Sequence, residues 1–102
     1  MSVNVIHQPR VAWDAAQMMI SSCMSGQFGW MCDRVEELLG PDYANALWQS
    51  LMHLQHSTRL DIRQVELGTW RVRLEDALRV RPELAEKLHA LVVEAKTRNV
   101  RT

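Results

Sequence analysis

Two thiols and two imidazoles, Cys23, Cys32, His53 and His56, are the residues of this 102-residue chain whose types nominally make up a tetrahedral zinc set. Their spacing argues against it. Structural zinc sites bring cysteines roughly two to four residues apart on a tight turn, whereas eight residues separate Cys23 from Cys32. Met18, Met19, Met24 and Met31 surround the same cysteines and supply soft sulfur of the kind Cu(I) takes. Methionine more often fills irregular gaps in a core, so the sulfur-rich run is expected to pack rather than to ligate, and no metal or cofactor is assigned. A nucleophile would have to come from Ser21, Ser22 or Cys32, with a histidine that no local motif places nearby. Asp33, Glu36 and Glu37 fall on the polar side of a helix. There is no Gly-rich phosphate loop and no metal-hydrolase signature, so the expected class is non-enzymatic.

Arg59, Arg63, Arg71, Arg73, Arg79 and Arg81 concentrate in one stretch with Trp70, which makes a small nucleic-acid-binding regulator using 59–81 the alternative reading. Asp61, Glu66, Glu75 and Asp76 interleave with them as on an ordinary solvated helix face. A helix-turn-helix would also place a polar recognition helix after the turn, where this chain has acids and bases in near balance.

The elements that carry these residues read as helices throughout. Leu84, Leu88, Leu91, Val92 and Ala95 recur at helical spacing, and Leu67, Trp70, Leu74, Ala77 and Leu78 form a matching stripe before them. Pro82 biases Arg81 away from the α region, so the two stripes belong to two helices hinged at Arg81-Pro82. Gly40-Pro41 marks another helix end and the next helix start. The predicted architecture is all-α, a single-domain bundle of four or five helices at about 9–24, 29–39, 41–56, 60–80 and 82–97, with an arm over 1–8 and a tail over 99–102. Ala44, Leu47, Trp48, Leu51 and Gln55 are expected to form the inner face of the third helix, and Ser57 or Thr58 to cap the fourth. Trp48, Trp70, Leu74, Leu78, Leu84, Leu88 and Leu91 are expected in the core. Gly68 reads as a kink, a helix boundary or a close contact against a bulky side chain such as Trp48.

A hydrophobic fraction of 47% with 24% charged residues suits one globular domain, and the formal net charge of zero removes the simplest argument for a nucleic-acid or anionic-membrane partner. The charge is uneven: residues 1–56 hold two bases against five acids, and residues 57–102 hold ten against seven. Two cysteines within apolar helical stretches, no secretory leader and no apolar run of membrane-spanning length give a cytoplasmic expectation.

Trp30, Val35-Glu36 and Leu38-Leu39-Gly40, followed after a helical segment by the run from Leu74 through Pro82-Glu83-Leu84-Ala85 to Val92, resemble the small helical modules, common in actinomycetes, that end in a P-E-L-A hairpin. Some of those are similar to the death-like, effector-associated adaptor domains of bacterial conflict systems. The likeness covers roughly Ala12 to Ala95, with Arg81 standing where a helix-capping Asp or Asn is usual, and implies a non-catalytic interaction module. The residues suggest the same class independently. Trp13, Met18, Met19, Ile20, Met24, Phe28, Trp30 and Met31 lie within nineteen residues that contain one charge, Asp14. A helix so poor in charge needs covering on most sides, so the expected interface is this set, meeting a second copy in an isologous dimer or a larger cytosolic protein.

Overall fold

Gln8–Ser25 form α1, the helix that the rest of the chain closes around. The computed structural model describes residues 8–101, with side chains through Arg98. Four more helices follow: α2 (Phe28–Leu39), α3 (Pro41–His56), α4 (Ile62–Val80) and α5 (Leu84–Arg101). With no strand among the described residues, the all-α bundle is observed with five helices. The arm expected over 1–8 lies outside the described residues except for Gln8, which is helical, and α5 runs on into the stretch expected as a tail.

The thin polar side of α1 has an intramolecular explanation. Ala12, Ala15, Ala16 and Ser22 are buried together with Val11, Met19 and Ile20, so small side chains let neighbours approach the α1 backbone from several directions. All four other helices touch α1, most extensively α4 and then α5. A second chain is not needed to cover it. Met19, Ile20 and Met31, expected at an intermolecular interface, are at 0%, 1% and 1% exposure and belong to this chain's own core.

Turn chemistry sets the order of the helices. Gly26 ends α1 at φ 83°, and Gly40 joins α2 to α3 at φ 100°, a region that L side chains rarely adopt. Gly40 donates its N–H to Glu36 O at 2.9 Å, and Pro41 opens α3 where a missing N–H costs nothing. At the hinge, Arg81 N–H closes on Ala77 O at 2.8 Å, and Pro82-Glu83 form the turn that leads into Leu84. Ser57 does not cap α4; its Oγ accepts the Arg59 N–H at 3.1 Å and shapes the connection instead. Gly68 produces neither a break nor a tight contact: α4 is continuous through it, and a Cβ placed there would meet nothing within 4 Å.

The hinged pair α4 and α5 scarcely touch each other, because α1 is packed against both. Their stripes meet on it as the spacing predicts, with Trp70, Leu74, Leu78, Leu84, Leu88 and Leu91 all at 1% exposure or less. Trp48 is the exception among the expected core residues, standing 50% exposed. The buried side of α3 is Ala44, Leu47 and Ser50, with Tyr43 and Leu54 packed partly against the core, so the helix is turned away from the predicted Trp48-centred face. Among the described residues no helix is long and apolar enough to cross a membrane.

Candidate functional site

The α3–α4 contact is built on polar groups. Trp70 Nε1–H donates to Ser50 Oγ at 2.8 Å, and the Ser50 hydroxyl donates in turn to Glu66 Oε1 at 2.6 Å. The second Glu66 oxygen faces His53 Nδ1 at 3.0 Å, so an indole, a hydroxyl, a carboxylate and an imidazole form one chain from the core to the surface. Ser50 is 1% and Glu66 7% exposed. This arrangement joins α3 to α4 through buried polar groups. The Ser50 proton is committed to a carboxylate rather than to an imidazole, and the residue is buried. None of the four was singled out as a set from the sequence. The available signal was polar residues in core register: Ser50 lies three residues after Leu47, and Glu66 four before Trp70.

The nominal zinc set is not assembled. Among the described residues no three His, Cys, Asp or Glu are grouped as a metal ion requires. Cys23 Sγ points to Met19 O at 3.5 Å, Cys32 Sγ to Ala44 O at 3.9 Å, and His53 turns to Glu66. Burial pushes the Cys23 thiol up from 9.0 to about 11, with the Glu66 carboxylate and Cys32 adding to the effect and Ser22 partly offsetting it. Burial, then Asp33 and Glu36, also raises Cys32. Both are therefore protonated and weakly nucleophilic at neutral pH. A pH dependence follows. Between pH 9 and 11 the unfolded chain loses the Cys23 proton while the folded chain keeps it, so the contribution of Cys23 to stability is present below pH 9 and declines as pH rises to 11. Cys23→Ala is expected to lose less stability than the wild type over that interval in urea titrations; an equal loss would show that Cys23 does not couple to folding.

The arginines of 59–81 are largely engaged with neighbours. Arg59 pairs with Asp61 at 2.9 Å, Arg79 with Asp76 at 2.7 Å and Arg81 with Glu83 at 3.2 Å, while Arg73 lies over the Trp70 ring at 5.2 Å.

The remaining residues of the expected interface are divided. Met18, Phe28 and Trp30 are half-buried and packed against the core, and Arg98 covers Trp30 at 4.4 Å while its Nε–H donates to Gln27 Oε1 at 3.1 Å. Trp13 and Met24 are exposed, with Met24 Sδ accepting from Arg63 Nη1 at 3.7 Å. Met18 and Trp30 line one small cavity with the buried Met31.

A second apolar set lies on α3. Trp48, Leu51 and Met52 stand at i, i+3 and i+4 and so line one side of the helix, with the polar Gln55 one turn beyond Leu51. Trp48 is half-exposed, and Leu51 and Met52 are half-buried without joining the core cluster. The Cys32 contact with Ala44 O brings α2 alongside the turn that leads to Trp48. The exposed Asp33 follows Cys32 and the exposed Glu36 lies one turn on from it, and the charges of both act on the Cys32 thiol. Over 28–56 the formal charges are Asp33, Glu36, Glu37 and Asp42 against Arg34 alone. Arg34 is spent internally, on Glu37 at 2.6 Å and Glu94 at 3.3 Å. The apolar stripe headed by tryptophan is therefore carried by a helix pair whose formal charge is acidic.

A separate shallow depression of about 310 Å³ is lined by Leu39, Tyr43, Ala77, Val80 and Leu84, with Asp76 and Arg81 at its rim. The two charges that line it are opposite in sign. No family model matches the chain, and no curated protein or solved structure gives a match.

Proposed function

We propose that this protein is a non-catalytic protein–protein interaction module of the adaptor type, and that it docks its partner on the outward side of α2 and α3. The observation that carries the reading is Trp48: a tryptophan held half-exposed on a rigid helix, beside Leu51 and Met52, in a domain whose core is complete without it. Tryptophan is the residue type most enriched at the energetic centre of interfaces, and methionine adapts to a partner's shape. The non-catalytic class is supported by the state of the reactive groups, since Ser50 is buried and committed to Glu66, and the Cys23 thiol is held well above its ordinary range. The likeness of the P-E-L-A hairpin to small helical modules, some similar to death-like adaptor domains, points to the same class. Two free thiols suit a reducing, cytoplasmic setting.

The test is selection from a displayed peptide library on the purified domain, with each enriched peptide measured again on Trp48→Ala. Peptides that bind the wild type and lose about tenfold or more on the variant are expected, as for truncation of a central interface residue. Enriched peptides indifferent to Trp48, or no enrichment at all, would refute docking on this side of the domain.

A further inference from the structure

Resting on the reading of the Trp48 side as a docking face, we infer that its occupant is a basic amphipathic helix of another protein. The sign of the surround selects the partner's charge. Asp33 and Glu36 are exposed on α2 and act on Cys32, whose thiol meets α3 one turn before Trp48; Asp42 is exposed at the start of α3, and the sole formal cation of the two helices, Arg34, is held by Glu37 and Glu94 with its Nε already buried. A Lys- or Arg-rich polar face complements that surround, whereas nucleic acid and anionic lipid share its sign. A second copy is disfavoured on the same ground. An isologous dimer would set these carboxylates against their own duplicates.

The shape of the stripe selects a helix. Trp48, Leu51 and Met52 form one side of α3, with Gln55 extending it to a second turn, and α2 meets α3 one turn before Trp48, so the helix offers a shallow apolar track on an acidic helix pair. A helix that places apolar side chains at i, i+3, i+4 and i+7 along the track, with its basic residues beside them, meets both features at once. Exposed backbone for pairing with an extended peptide is missing here, because the surface is helical throughout.

Two synthetic peptides of about 18 residues, identical on the apolar face and carrying either Lys and Arg or only Glu on the polar face, test this by titration calorimetry against the wild type, Trp48→Ala and the double variant Asp33→Lys/Glu36→Lys. The basic peptide is expected to bind the wild type, to weaken about tenfold or more on each variant, and to weaken as salt is raised. The acidic peptide is expected not to bind. Equal binding of the two peptides, or binding that depends on Trp48 but is unchanged by Asp33→Lys/Glu36→Lys, overturns the basic partner and leaves the docking face standing. Binding of the basic peptide that is unchanged in Trp48→Ala overturns the face itself. No measurable binding of the basic peptide up to about 1 mM overturns the inference while peptides selected through Trp48 would still uphold the face.

Discussion

Met19→Lys is expected to abolish the fold. Met19 is fully enclosed near the middle of α1, and its neighbours along that side, Ala12, Ala15, Ala16 and Ser22, are themselves buried, so a lysine stem has no apolar route along which to carry its ammonium to water. The substitution removes a methionine's packing, worth about 2–5 kcal/mol, and adds an unpaired buried charge whose effective penalty is several kcal/mol more. A domain of this size has a total stability of about 5–15 kcal/mol, which those two costs together consume. Circular dichroism and a urea titration should show a chain without a cooperative transition. A folded Met19→Lys with near-native stability would put Met19 on a surface and restore α1 as an interface helix.

Trp70→Ala is expected to be nearly as damaging, and for two separable reasons. The ring is fully buried, touches Tyr43 with centroids 6.3 Å apart, and carries Arg73 over its face, so its removal leaves a large cavity at about 3–5 kcal/mol. Its Nε1–H is also the donor that Ser50 Oγ accepts while Ser50 serves Glu66, and that loss affects a buried chain at about 1–3 kcal/mol. Trp70→Phe separates the two, since it keeps most of the volume and deletes the donor. The expected order of unfolding midpoints is wild type, Trp70→Phe, Trp70→Ala. A neutral Trp70→Phe would show that the Ser50–Glu66 pair stands without the indole.

The two hinged helices could be read directly from the sequence because several local signals agree there. Apolar spacing, Pro82 and the polar remainder of each turn all specify the same faces, and six of the seven expected core residues are buried. On α3 the signals conflict. Two overlapping helical stripes are available, one through Ala44, Leu47, Trp48 and Leu51, the other through Tyr43, Ala44, Leu47, Ser50 and Leu54. The size of Trp48 favours the first on hydrophobicity, but the second supplies a hydroxyl for Trp70 and Glu66, whose burial depends on it. A pairing between residues sixteen and twenty positions apart is tertiary information that periodicity in one helix does not contain. For the same reason the apolar surplus of α1 pointed outside the chain: charge poverty shows that a helix is covered, but not by which helices. The choice between the two α3 stripes decides the candidate site, because the stripe that stays outside the core is the one left to bind.

The most direct test of that account is the stability of Trp48→Gln, measured by urea unfolding beside the wild type. A half-exposed side chain that helps no core should lose at most about 1 kcal/mol on replacement by a polar residue that favours helix. The account predicts a loss within that bound and an unchanged helical spectrum. A loss of about 3 kcal/mol or more, the scale of a buried tryptophan, would return Trp48 to the core and contradict the assignment of the α2–α3 side as the docking face.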